Sequence, residues 1–396
     1  MVHSLSNMLL SVVLFRGVTG SEVLSNLISF LHILDSSDEG LKTEKYCAFV
    51  ASLYENGCDL GEYIEDALRC DDNVYVRRFA SGKDIPDVMQ SCFERELSIF
   101  SELSKLSGAQ LLEAAGLPAS LPVFNNTAKD FSVIMPAILE NASKLGYGIY
   151  ARHGMFRVGD KGELVPVLAP DPITVASLVG YDIERKKVLD NTHALIEGKP
   201  AANVLLCGDA GTGKSSTVKA VANELRSEGI RLVELRKDQL SLLPEIMGEI
   251  ADNPLKFILF IDDLSFSTDD DGFAALKAVL EGSAAAKTPN AVIYATSNRR
   301  HMVKETFSSR EGDDIHRRDS MEEMLSLSAR FGLTVLFAKP NKELYLKIVH
   351  SLAQAKDITL DKAELDIRAE AFALNKGGRS ARTAGQFVDS LLSIDI

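Results

Sequence analysis

The sequence predicts an α/β protein: a parallel β-sheet covered by helices on both faces, preceded by a mainly helical domain with a β-hairpin and followed by a small helical lid. Three observations predict it. Short apolar runs alternate with helix-length segments from residue 203 to about residue 340, the pattern of strands joined by crossover helices. The first of those runs, NVLLC, leads directly into GDAGTGKSS at residues 208–216, which fits the phosphate-binding pattern G-x-x-x-x-G-K-[ST] in its strand-loop-helix setting. Before residue 147 the apolar residues recur three and four apart, the helical period.

Taken in order, residues 1–146 predict a helical domain, carried by segments such as SEVLSNLISFLHIL, KYCAFVASLYENG, DVMQSCFERELSIFSELSKL and FSVIMPAILENASKLG. The apolar start, MVHSLSNMLLSVVLFRG, lacks a basic n-region and a small-residue cleavage site, so it reads as a first amphipathic helix. Residues 147–172 predict a β-hairpin turning at GDKG and a linker ending in APDPIT. The strands NVLLC, RLVEL, KFILFID, AVIYAT and LTVLF with their helices make residues 173–340 the α/β core, and residues 341–396 supply only helices. A chain of 396 residues has room for two or three such domains.

Composition bounds the function. With 46% hydrophobic and 25% charged residues, and no apolar stretch near the ~20 residues of a membrane span, the expectation is a soluble cytoplasmic protein without membrane contact. Five cysteines without a C-x-x-C pair argue against a disulfide framework or zinc site; Cys207 reads as a buried strand residue. The net charge is −13, and residues 1–172 hold 14 of the 43 basic and 23 of the 56 acidic residues, hence −9 of that total. Such a surface as a whole repels nucleic acid, although a local basic patch leaves that contact open. The acidic first part suits either a protein client or plain solvation.

The loop GDAGTGKSS points to ATP. Gly208, Asp209, Ala210, Gly211, Thr212, Gly213, Lys214, Ser215 and Ser216 are expected to surround its phosphates. Glycines let backbone N–H groups turn inward, the helix N-terminus adds partial positive charge, and Lys214 adds a full one. Ser215 is placed to ligate Mg²⁺. The buried run Phe257 to Ile261 then delivers Asp262 and Asp263 to the carboxyl edge of the sheet, where ligands of open α/β folds bind. Asp262 is expected to hold the Mg²⁺ through water and Asp263 to polarise the attacking water. Asn298 ends AVIYATSN; if that strand lies between the first and third core strands, Asn298 reaches the γ-phosphate as a sensor, and otherwise it is a turn residue.

In this order GDAGTGKSS, FILFIDDLSF, YATSNRRH and LSARFGLTVLF resemble the Walker A, Walker B, sensor 1 and box VII elements of AAA+ ATPases over about residues 172–394. The resemblance implies that Arg330 in SARFGL is a finger lent to the nucleotide of a neighbouring subunit, so the protein is expected to form a homo-oligomer; a surface arginine is the other reading. It implies that Arg382 in GGRSARTAGQF is a lid arginine over the γ-phosphate, with Arg379 second. It also implies that Val179, Gly180 and Tyr181 border the adenine, with core packing the alternative for Tyr181. Many AAA+ proteins carry Asp-Glu where this chain has Asp-Asp, a base shorter by one methylene, which implies slow turnover; the initiator-like branch also has Asp-Asp. The wording DDLSF, EGSAAAKTPNAVIYATSNRRH and SLSARFGLTVLF is similar to an uncharacterised bacterial family of AAA+ proteins known only by a domain-of-unknown-function label. Box VII resembles that of bacterial replication initiators and helicase loaders, yet no helix-turn-helix module accompanies it.

Three functions follow as expectations. The first is an ATPase that assembles and remodels an unidentified client held by the N-terminal domain. The second is an ATP-gated binding module with negligible turnover. The third, a small-molecule kinase, has no use for a trans arginine. The basic residues Arg299, Arg300, His301, Arg310, Arg317 and Arg318 are expected on an inter-subunit or pore-side surface, or in a solvated loop.

Overall fold

The computed structural model describes residues 2–264, 271–281, 288–298 and 329–392. The basic cluster from Arg299 to Arg318 and residues 267–270 of the acidic stretch STDDDG at 267–272 lie outside them. The chain divides into two compact units, Met1–Arg152 and His153–Ile396.

The first unit is helical from Val2–Leu10 to Ile149–Arg152. Its helices start where the local chemistry lets them: Asp38 accepts from Leu41 N–H, Asn73 from Tyr75 and Val76, and Ser107 forms a reciprocal box with Gln110, each satisfying donors a helix leaves open. Their apolar stripes meet in one core, where Phe15 packs edge-on against Phe100 and Tyr75 stacks on Phe93 with centroids 3.8 Å apart. Glu96 is fully buried in this core. Its carboxylate accepts the backbone N–H groups of Val13, Leu14 and Phe15 at 2.6–3.2 Å; the bond to Phe15 is buried, a donor that needs such a partner.

The second unit is built on one seven-stranded sheet: β1 Met155–Val158, β2 Leu164–Pro166, β3 Val204–Gly208, β4 Ile230–Leu235, β5 Lys256–Ile261, β6 Ala291–Ser297 and β7 Leu333–Phe337, in the order β2-β1-β4-β5-β6-β3-β7. All pairings are parallel except β1 with β2. Every residue of β3 is buried, as is all of β5 after Lys256 and all of β6 after Ala291. That burial on both faces explains their unbroken apolar text. The fold is α/β.

The hairpin corrects the expected connector at residues 147–172. It turns where GDKG indicates, with Gly159 N–H bonded to Glu163 O at 2.8 Å, but it belongs to the second unit, because β1 runs parallel to β4 and continues the sheet. Without it the buried strand β4 would be an open edge, which folded sheets avoid. After β7 the helices Lys342–Ala355, Lys362–Asn375 and Ala381–Leu392 share a core of their own around Tyr345, Val349, Ala369, Phe387 and Val388.

Candidate nucleotide site

Strand order brings the candidate residues together. β6 lies between β3 and β5, the condition on which the sensor reading of Asn298 depends. The carboxyl ends of these three strands then deliver Gly208, Asp262 and Asn298 to one edge of the sheet. In the loop after β3, Gly208, Gly211 and Gly213 have φ of 141°, 77° and 93°, a region that L side chains avoid. A Cβ on Gly208 would stand 2.0 Å from the Phe337 carbonyl oxygen of β7, so this turn admits only glycine. The loop runs into the helix Lys214–Glu224, whose first N–H groups face the same cleft edge.

A cleft of about 740 Å³ opens there. Ala210, Gly211, Thr212, Gly213, Lys214, Ser215 and Ser216 form its loop wall, and Asp262, Asp263, Thr296 and Asn298 its floor. Lys214 is buried and donates to Gly208 O at 2.9 Å, Asp209 O at 2.7 Å and Asn298 Oδ1 at 2.9 Å, which uses all three of its N–H bonds. Burial pushes its ammonium below the usual lysine range, against the opposing pull of Asp209, Asp262 and Asp263. Ser215 Oγ donates to Asp262 Oδ1 at 2.6 Å. Asn298 Nδ2 donates to Asp263 Oδ1 at 2.8 Å, so one amide side chain touches both the lysine and the second carboxylate. Asp263 has φ of 53°, a left-handed turn that aspartate tolerates better than most residues.

The opposite wall comes from the segment before the core and from the lid. Val179 and Tyr181 line the cleft, as do Ile348, Leu352 and Arg382 from the last helices. Tyr181 donates its hydroxyl to Ala338 O at 2.6 Å and packs on Phe337; burial pushes that hydroxyl up to about 12. Gly180 stands behind the wall with φ of 77°, and a Cβ there would meet Leu344 Cδ1 at 2.4 Å. Arg382 donates its backbone N–H to Gly211 O at 3.1 Å, and its guanidinium forms no hydrogen bond or ion pair among the described residues. Arg379 is instead engaged with Glu370.

Arg330 is not brought to this cleft. It precedes β7, whose residues Leu333 and Phe337 lie opposite Val204 and Gly208 of β3, so it sits at the amino edge of the sheet while the cleft opens at the carboxyl edge. Its Nε donates to Glu281 Oε1 at 2.6 Å. Sequence reasoning missed Thr296, whose hydroxyl contacts the Asp262 carboxylate; its place two residues before Asn298 on a strand, hence on the same face, was the available signal. It also missed the apolar pair Ile348 and Leu352, one helical turn apart on the lid.

No curated protein matches the chain. The Thermotoga maritima RuvB Holliday junction branch migration motor overlaps 55% of this chain and 63% of its own, with 16% identity and a TM-score of 0.36. Two single-residue variants of that motor overlap 55% and 57% of this chain and 64% and 67% of theirs, both with 17% identity and a TM-score of 0.38. The chain therefore spans under two thirds of the first of these structures. A family model described as "Protein of unknown function (DUF815)" matches residues 151–394, more than half of the chain and all of the sheet, cleft and lid just described; this protein belongs to that family.

Proposed function

We propose that this protein is an AAA+ ATPase that binds ATP with Mg²⁺ in the cleft and hydrolyses it to ADP and phosphate within a homo-oligomer, to remodel a partner. The observation that carries the reading is the convergence at one sheet edge, under Arg382, of Lys214, Asn298, Asp263, Asp262 and Ser215, each hydrogen-bonded to the next in that order. Chance glycine turns do not assemble such a set.

The loop backbone and Lys214 hold the phosphates, and the apolar wall of Val179 and Tyr181 takes the base. The hydroxyl of Ser215 and the carboxylate of Asp262 are hard oxygen donors 2.6 Å apart, a donor set that suits Mg²⁺. When bound, that ion neutralises phosphate charge. Asp263 takes a proton from the attacking water, and Asn298 orients its carboxylate. Arg382 covers the cleft from the lid, so lid angle and nucleotide state are coupled. Arg330 serves the pocket of the neighbouring subunit. The acidic unit Met1–Arg152 is the part assigned to a protein client.

A second reading, an ATP-gated binding module, is favoured by the Asp263–Asn298 hydrogen bond and by the short Asp-Asp pair, which keep the base engaged. Steady-state phosphate release separates the two. Multiple turnovers by the wild type, lost in Asp263→Asn with ATP affinity retained, support the ATPase; negligible steady-state release by a wild type that binds ATP overturns it in favour of the module.

A further inference from the structure

Thr296 is 2% exposed and lies one residue before the end of β6, in the cleft floor. Its hydroxyl donates to Asp262 Oδ1 at 2.6 Å, and its Oγ1 accepts the Asp263 backbone N–H at 2.9 Å. Its own carbonyl accepts Leu264 N–H at 2.7 Å. One residue thus contacts three consecutive residues of the turn after β5. The Asp262 oxygen that it holds is the one facing Ser215 Oγ, and the N–H that it accepts belongs to the residue with left-handed φ.

We propose that Thr296 is a positioning residue for the metal site: it fixes the Asp262 carboxylate against Ser215 and holds the turn from which Asp263 reaches Asn298. This rests on the nucleotide reading above and deepens it. A carboxylate at the end of a strand can rotate about two bonds, and a buried hydroxyl fixes one of its oxygens at little entropic cost. Ser215 cannot do this alone, because its hydroxyl is itself required by the metal. The neighbouring donor, Asp263 N–H at 3.1 Å from the same oxygen, depends on the turn that Thr296 holds. Removing the hydroxyl while keeping the volume therefore loosens the metal ligand without altering the phosphate loop.

The test is Thr296→Val in the full chain, with ATP binding titrated in EDTA and against increasing Mg²⁺. Affinity in EDTA should match the wild type, whereas the Mg²⁺ concentration giving half of the affinity gain should rise about 10–100-fold, the usual effect of losing a group that orients a metal ligand. Thr296→Ser should restore the wild-type curve. If the valine variant does not fold, Thr296→Ala against Thr296→Ser carries the same comparison. A Mg²⁺ curve unchanged in the variant lacking the hydroxyl overturns the proposal, as does equal loss of affinity with and without Mg²⁺, which marks a merely structural role. Wild-type protein that binds no ATP under either condition overturns the nucleotide reading itself, an outcome distinct from both.

Discussion

Replacing Arg330 by alanine tests the proposed homo-oligomer and the proposed role of this arginine in turnover. β7 has five residues, so at ~3.3 Å per residue it sets Arg330 more than about 13 Å from the carboxyl edge of the sheet, out of one side chain's reach of its own cleft. Under the proposed reading it therefore serves a neighbour's pocket. Its ion pair with Glu281 is half-exposed, and such pairs contribute about 1 kcal/mol or less, so Arg330→Ala should leave the fold and ATP affinity near wild type. The hydrolysis rate should fall roughly 10³–10⁵-fold, the contribution of an arginine finger. Mixing then gives the decisive assay. Lys214→Ala subunits cannot bind ATP but carry Arg330, and Arg330→Ala subunits carry an intact cleft. With random head-to-tail pairing at equal amounts, about a quarter of the wild-type rate per total subunit should return. Hydrolysis by Arg330→Ala that is unimpaired at high dilution refutes the reasoning, and so does a mixture no more active than its parts.

Other outcomes follow from single contacts. A Cβ on Gly211 would stand 3.0 Å from Arg382 Cβ at a φ of 77°, so Gly211→Ala should cost about 1–2 kcal/mol in urea unfolding and weaken ATP binding by lifting the lid. Burial lowers the pKa of Lys214 from 10.5; between the lowered folded value and 10.5 the unfolded chain binds more protons, so stability rises with pH through that window. Its contribution is lost as pH falls through the folded value, and Lys214→Met should flatten that part of an alkaline unfolding series. Glu96→Ala strands the N–H groups of Val13, Leu14 and Phe15, and at about 1–3 kcal/mol for a buried unpaired group it should lower the thermal midpoint more than any surface substitution in the first unit; an unchanged midpoint contradicts this.

Much of the site was legible because its chemistry is local in sequence. GDAGTGKSS carries its own glycines, lysine and hydroxyl, and a five-residue apolar run ending in Asp262 can point only one way out of a parallel sheet. The hairpin was legible as a hairpin but not as part of the sheet, since the pairing of β1 with β4 spans the entire loop and helix that follow β3. Thr296 was hidden for a related reason: in AVIYATSN it looks like one more β-branched strand residue, and only the β5–β6 pairing sets its hydroxyl against Asp262. Arg379 and Arg382 are three residues apart and chemically alike. The ion pair of Arg379 with Glu370, a contact across the lid, distinguishes them.

The most direct measurement is calorimetric titration of ATP, with and without Mg²⁺, into wild-type protein, Lys214→Ala and Ser215→Ala. The account predicts that the wild type binds more tightly with Mg²⁺, that Ser215→Ala binds but no longer responds to the ion, and that Lys214→Ala does not bind. Equal affinity in all three proteins would contradict it.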